Sequence, residues 1–132
     1  MSQDLKPGVE GEARVAITPE NTAIAYGSGA VRVFATPAMI GLMEKAALSS
    51  VDPLLGEGLT TVGTRVDIQH LAATPVGMNV VARSRLVEVE GKRLLFEVEA
   101  RDDVDVIGKG VHERFVVKLE SFLKRAESKG KN

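Results

Sequence analysis

The sequence predicts an α+β fold in which a curved antiparallel sheet wraps one long helix. Three observations predict it. Apolar residues recur at helical spacing in one stretch, residues 34–52. After Gly58 the period changes to two and holds through four successive runs. A meander of that length has an apolar face that needs a cover, and the helix is the only segment of adequate size. At 132 residues, 44% of them hydrophobic, the chain suits one domain with one core.

The elements follow in order. Residues 1–11, polar with acids and a proline, read as a flexible N-terminal arm. A single domain is expected over 12–127, with a frayed tail at 128–132. A short strand is predicted from Glu12 to Thr18, then a turn or helical turn at Thr18-Pro-Glu-Asn. Residues 20–32 are ambiguous, and Val31 to Phe34 can form a few residues of strand. The helix starts with Thr36 as N-cap and Pro37 at the first helical position, where a missing N–H costs nothing. Met39, Ile40, Met43, Ala47 and Val51 form its apolar stripe, while Gly41, Ala46 and Ala47 are small enough for close approach. It ends near Asp52-Pro53, since proline disfavours helix in the residue before it.

A half-buried strand then carries Val62, Thr64, Val66, Ile68 and His70 on one face. After a bend at 72–77, a second strand runs from Met78 to Val89. Glu90-Gly91 signals a hairpin, and a third strand covers Leu94 to Arg101. The last strand, Val106 to Leu119, places Ile107, Val111, Phe115, Val117 and Leu119 on one face. A short helix from Glu120 with Phe122, Leu123 and Ala126 on one side completes the chain. The last strand looks too long for a small monomer to cover, so edge pairing into a homodimer is expected, with further pairing of dimers into a tetramer as the alternative.

Composition narrows the function. The net charge is −1 with both signs interspersed, which argues against a dedicated nucleic-acid or membrane-surface binder. No cysteine is present, which excludes disulfides and thiolate chemistry. The first residues resemble neither a secretory signal nor a transit peptide, no run is long enough to span a bilayer, and the cytoplasm is the expected location. Aromatics at 4% leave little material for base stacking.

Few residues can carry chemistry. Glu44 falls on or beside the apolar stripe of the helix. It is either a carboxylate paired with Arg or Lys, or a base or nucleophile on a rigid element. His70 ends an apolar strand face and is either structural or catalytic. His112 alternates with Val111, beside Arg114, on the face opposite Ile107 and Phe115, and reads as non-catalytic. Thr36 has a capping role, but a helix N-terminus also offers N–H groups from Ala38, Met39 or Ile40 to an oxyanion. Thr36 and Glu44 would lie roughly 12 Å apart along a regular helix. Either the chain before the helix folds back, or the site is completed across a subunit boundary. Gly108-Lys-Gly110 lies in a strand and is no phosphate loop. Asp102, Asp103 and Asp105 read as a solvated turn, and no histidine–carboxylate cluster has zinc spacing.

Four segments resemble a known family. They are Phe34-Ala-Thr-Pro-Ala-Met-Ile-Gly-Leu-Met-Glu44, Gly63-Thr with His70-Leu-Ala-Ala-Thr-Pro75, Val89-Glu-Gly-Lys-Arg93, and Ile107-Gly-Lys-Gly-Val-His-Glu-Arg114. Together they are similar to hotdog-fold thioesterases, in the fluoroacetyl-CoA thioesterase-like branch, from about Val15 to Phe122. The resemblance implies a five-stranded antiparallel sheet around one helix. It also implies dimers with sites at the subunit interface, and hydrolysis of an acyl-CoA thioester with no metal or redox cofactor. It assigns Thr36, Glu44 and His70 to the catalytic set, and Gly63 and Arg114 to the acyl pocket. One departure stands out. Residues 20–33 are short and Gly-rich, with Tyr26 the only aromatic before Phe34, where the fluoroacetyl-specific enzyme carries a longer aromatic lid. A general, short-chain acyl-CoA thioesterase is therefore expected. The alternatives are a non-catalytic acyl-CoA-binding module and a hotdog dehydratase.

Overall fold

The computed structural model describes residues 4–131. Strand β1 (Glu10–Ala16) is followed by a 3₁₀ turn (Pro19–Asn21) and one helical turn, α1 (Ala23–Tyr26). The long helix α2 (Thr36–Val51) runs into a second 3₁₀ turn (Asp52–Leu54). Strands β2 (Leu59–His70), β3 (Asn79–Glu90), β4 (Arg93–Arg101) and β5 (Val106–Lys118) follow, then helix α3 (Leu119–Ser128) and a turn at Lys129–Lys131. The strands form one antiparallel sheet in the order β1-β3-β4-β5-β2. This is the hotdog arrangement: one helix held against a curled five-stranded sheet.

Helix α2 packs mainly over β1 and β3. Met39, Met43, Ala46, Ala47 and Val51 are essentially fully buried, against Val80, Ala82, Leu86 and Phe96 of the sheet. Close approach depends on Gly11. A Cβ there would lie 2.1 Å from the Ala46 carbonyl oxygen, so only glycine lets β1 reach the helix. Gly41, expected to serve the same purpose, is exposed and meets nothing. Among the described residues, no helix is long and apolar enough to cross a membrane.

Several expectations are corrected. The first three residues of the expected arm, and Asn132 of the expected tail, lie outside the described residues. The rest of the arm is held: Leu5 joins the core, the Gly8 N–H donates to the Leu86 carbonyl at 2.8 Å, and β1 begins at Glu10. Thr36 is not the N-cap. Ala35 occupies that position with extended backbone and no side-chain cap, and Thr36 is the first helical residue. Strand β5 is not an edge; it lies between β4 and β2, and the edges are β1 and β2.

The face assignments on β2 and β5 change because the ladders contain bulges. On β2 the register shifts between Gly63 and Arg65, leaving Thr64 as an extra residue. Thr61 and Gly63 therefore share the helix-facing side with Val66, Ile68 and His70, in place of Val62 and Thr64. On β5 the shift at Arg101 leaves Ile107 as the extra residue. Past it the buried side carries Gly108, His112, Arg114 and Val116. Phe115 points outward and is 38% exposed. The two glycines of Gly108-Lys-Gly110 are packing devices. A Cβ at Gly108 would strike the Met39 thioether, and one at Gly110 would strike the Asp67 carbonyl.

Candidate active site

The start of α2 is tied down from two sides. The Phe34 N–H donates to the Thr74 carbonyl (2.8 Å), and the Ala35 N–H donates to the Asn21 carbonyl (2.9 Å). Thr74 is fully buried, and its hydroxyl donates to Asp102 Oδ2 at 2.8 Å. The other Asp102 oxygen accepts from the Val104 and Asp105 backbone N–H groups. Burial opposes ionisation of Asp102, but these three donors outweigh it and lower its pKa. The Asp102–Asp105 turn thus anchors the bend after His70.

That anchoring brings Thr36 and His70 together. Thr36 Oγ1 lies 2.7 Å from His70 Nδ1, a hydrogen bond across 34 residues of sequence. With Ala35 at the cap position, the threonine hydroxyl is free to make it. His70 Nε2 is buried and has no hydrogen-bond partner. Burial lowers the His70 pKa from its ordinary value, with a smaller opposing effect from the Ala72 backbone, so the ring stays neutral near pH 7. An open groove of about 410 Å³ adjoins the pair, lined by Ala23, Val31, Val33, Phe34, Leu71 and Ala72. Pro37 has no N–H, and the Met39 N–H is taken by the Ala35 carbonyl (3.0 Å), which leaves Ala38 as the first-turn donor among the three expected.

Glu44 is elsewhere. It lies two turns further along α2, roughly 12 Å from Thr36 along the axis. Its neighbours are Gly63, His112 and Arg114, not His70. Glu44 Oε2 is 3.9 Å from Arg114 Nη1, and the two side chains are 41% and 7% exposed. Gly63 makes room for it: a Cβ at that position would lie 2.8 Å from Glu44 Oε2 and 3.2 Å from His112 Cε1. Gly63 and His70 are seven residues apart on β2, which is roughly 23 Å of strand. The chain before the helix does not fold back to join the two groups. Of the five residues expected, the structure pairs Thr36 with His70 and groups Glu44 with Gly63 and Arg114.

The second group extends into a network that reading the sequence missed. Arg114 Nε donates to Thr61 Oγ1 (2.8 Å) and Nη2 to the Thr61 carbonyl (2.9 Å). The Thr60 and Thr61 hydroxyls both donate to Asp52, at 2.5 and 2.8 Å. Burial lowers the Arg114 pKa, while Glu44 and Asp52 pull it back up. His112, read as outward-facing, is 1% exposed beside Arg114. The available signal was the His-x-Arg alternation on β5, which puts two cationic types on one face of a strand. A larger hollow of about 730 Å³ on the outer sheet face is lined by charges such as Arg83, Arg85, Glu97 and Lys109. Opposite signs face each other there across the strands, as at Arg83–Glu99 and Arg85–Glu97, which describes a solvated face.

Comparison with known proteins bears on this geometry. The family model for fluoroacetyl-CoA-specific thioesterase matches residues 17–120. The fluoroacetyl-CoA thioesterase of Streptantibioticus cattleyicolor is 45% identical over 97 residues, which are 74% of this chain and 70% of that protein. The solved structure of the fluoroacetyl-CoA thioesterase FlK superposes with a TM-score of 0.89 at 37% identity, covering 95% of this chain and 97% of that one. A thioesterase superfamily member from Thermus thermophilus superposes at 0.87 with 29% identity, over 98% of each chain.

Proposed function

This chain belongs to the fluoroacetyl-CoA-specific thioesterase family and is an acyl-CoA thioesterase, and from that premise we propose that it hydrolyses short-chain acyl-CoA esters in a site built by two copies of the chain. The observation that carries the proposal is the division of the polar residues. Thr36 and His70 form one half, with an unpartnered Nε2, and Glu44, Gly63 and Arg114 form the other. A second copy paired along the β2 edge supplies the missing half to each site. Val66 supports that pairing. It is on the helix-facing side of β2, yet 44% exposed, because α2 lies mainly over the far side of the sheet.

In this reading Glu44 acts as general base on water, or as nucleophile through a transient anhydride. Water adds its oxygen to the thioester carbonyl and gives a proton to Glu44. The C–S bond then breaks, and the thiolate leaves with a proton returned to it. Neutral His70 donates from Nε2 to the carbonyl oxygen when Thr36 donates to Nδ1, and Thr36 fixes that tautomer. The Ala38 N–H adds to the stabilisation of the oxyanion. Arg114 sets the position of the Glu44 carboxylate, and Gly63 gives it room. Water is the only co-reactant, no metal or redox cofactor takes part, and the compartment is the cytoplasm. The open groove and the short, Gly-rich segment of residues 20–33 suit general short acyl groups rather than fluoroacetyl alone.

The test is thiol release from a panel of acyl-CoA esters, short to long and including fluoroacetyl, by wild type, Glu44→Gln and His70→Ala. Hydrolysis of short esters that both substitutions reduce by about 10²-fold or more supports the site. Wild-type rates in Glu44→Gln reject it. Ester binding with no release in the wild type would favour a binding module instead.

A further inference from the structure

We infer that His112 is a positioning residue that restrains Arg114 and keeps it from closing onto Glu44. The inference rests on Glu44 being the residue that activates water. His112 Nδ1 lies 2.9 Å from the Arg65 carbonyl, which can only accept, so Nδ1 carries the proton. Phe96 stacks against the ring at a centroid distance of 6.2 Å and holds its plane. Burial lowers the His112 pKa, and the Arg114 charge lowers it further, against the backbone of Arg65 and the charges of Glu44 and Glu113. The ring is therefore neutral, and Nε2 presents a lone pair. Arg114 Nη1 lies 3.1 Å from it and donates.

Each guanidinium nitrogen is thereby held: Nε and Nη2 by Thr61, Nη1 by His112. The Thr61 hydroxyl is fixed in turn by Asp52. Glu44 receives only a 3.9 Å contact. Without the acceptor at Nε2, Arg114 Nη1 is released to close its 3.9 Å gap and donate a charge-assisted hydrogen bond to Glu44. A carboxylate so engaged has fewer lone pairs for water and is a weaker base. His112 thus keeps the cation near enough to seat Glu44 and too far to neutralise it.

Two substitutions separate the two bonds of the ring. In His112→Gln the amide oxygen reaches the place of Nε2 and keeps an acceptor for Arg114. In His112→Asn the amide nitrogen replaces Nδ1 and keeps the bond to Arg65, but the acceptor is gone. Full-length variants are assayed for thiol release with the fastest ester of the panel, beside Glu44→Gln. The expected result is a kcat close to wild type for His112→Gln, and about tenfold lower for His112→Asn with little change in KM. Equal losses in the two variants, or none in His112→Asn, overturn the inference. Wild-type turnover in Glu44→Gln removes the reading beneath it, a separate and recognisable failure. Should either variant fail to fold, ¹⁵N chemical shifts of His112 in the wild type decide, because a proton found on Nε2 overturns the proposal.

Discussion

The two halves of the proposed site are built in opposite ways. The Thr36–His70 half is two side chains beside an open, mostly apolar groove, and it carries no net charge. The Glu44 half is charged, and its half-exposed carboxylate sits beside a buried chain of hydrogen bonds running from Asp52 through Thr61 and Arg114 to His112. The difference reflects what each half handles. A neutral donor pair can be set by one hydrogen bond and a well-anchored loop. A carboxylate next to a buried cation needs every donor of that cation accounted for, because an unpaired buried charge costs several kcal/mol. In the proposed site the open half is where the acyl group can vary, and the networked half is where substitution is least forgiving.

Mixing the halves is the sharpest way to break this picture. Glu44→Gln and His70→Ala proteins, each nearly inactive, should regain about a quarter of wild-type activity when unfolded and refolded together, since one of two sites is restored in half of the dimers. No recovery would mean that each chain holds a complete site. Next in size is Gly63→Ala, whose new methyl group displaces the Glu44 carboxylate. It should lower kcat about 10- to 100-fold while the melting temperature changes little, because the strand accepts alanine. A loss of stability without loss of rate would make Gly63 a packing residue only. Thr36→Val removes the hydroxyl bonded to His70 at 2.7 Å and should cost about tenfold in kcat, with Thr36→Ser near wild type.

The smallest expected effect is on stability against pH. His70 and His112 both have folded pKa values below the ordinary 6.5. The unfolded chain therefore binds protons that the folded chain refuses, and stability rises with pH in that window. It should be complete above about pH 6.5 and fall as pH drops through the lower folded values. Melting curves from pH 7.5 to 5.5 should show the decline, with a shallower slope in His112→Gln. An unchanged slope would remove His112 as a contributor.

Most of the fold was legible because it rests on period and punctuation. The helical stripe from Met39 to Val51, the hairpin at Glu90-Gly91 and the strands near their observed bounds all follow from local rules. Bulges are not local in that sense. One extra residue at Thr64 and another at Ile107 invert the alternation, and no apolar pattern marks either. Reading β5 by hydrophobicity fails for a second reason. Its inward side is glycines and the His112–Arg114 pair, while Val111 and Phe115 face out. The pairing of Thr36 with His70 depends on Thr74 and Asp102 holding a bend in place, and spacing alone cannot express that. The distance between Thr36 and Glu44, by contrast, followed from helix geometry.

The position of Thr36 has a cost for the chain that carries it. As the first residue of α2 rather than its cap, it leaves the helix without a side-chain acceptor at its N-terminus. A cap is typically worth about 1 kcal/mol. The protein forgoes that increment at the helix its whole core is built on, and lends the hydroxyl to His70 instead. Selection for heat resistance alone would move in the other direction, toward a chain with a capped helix that, in the proposed mechanism, turns over substrate more slowly.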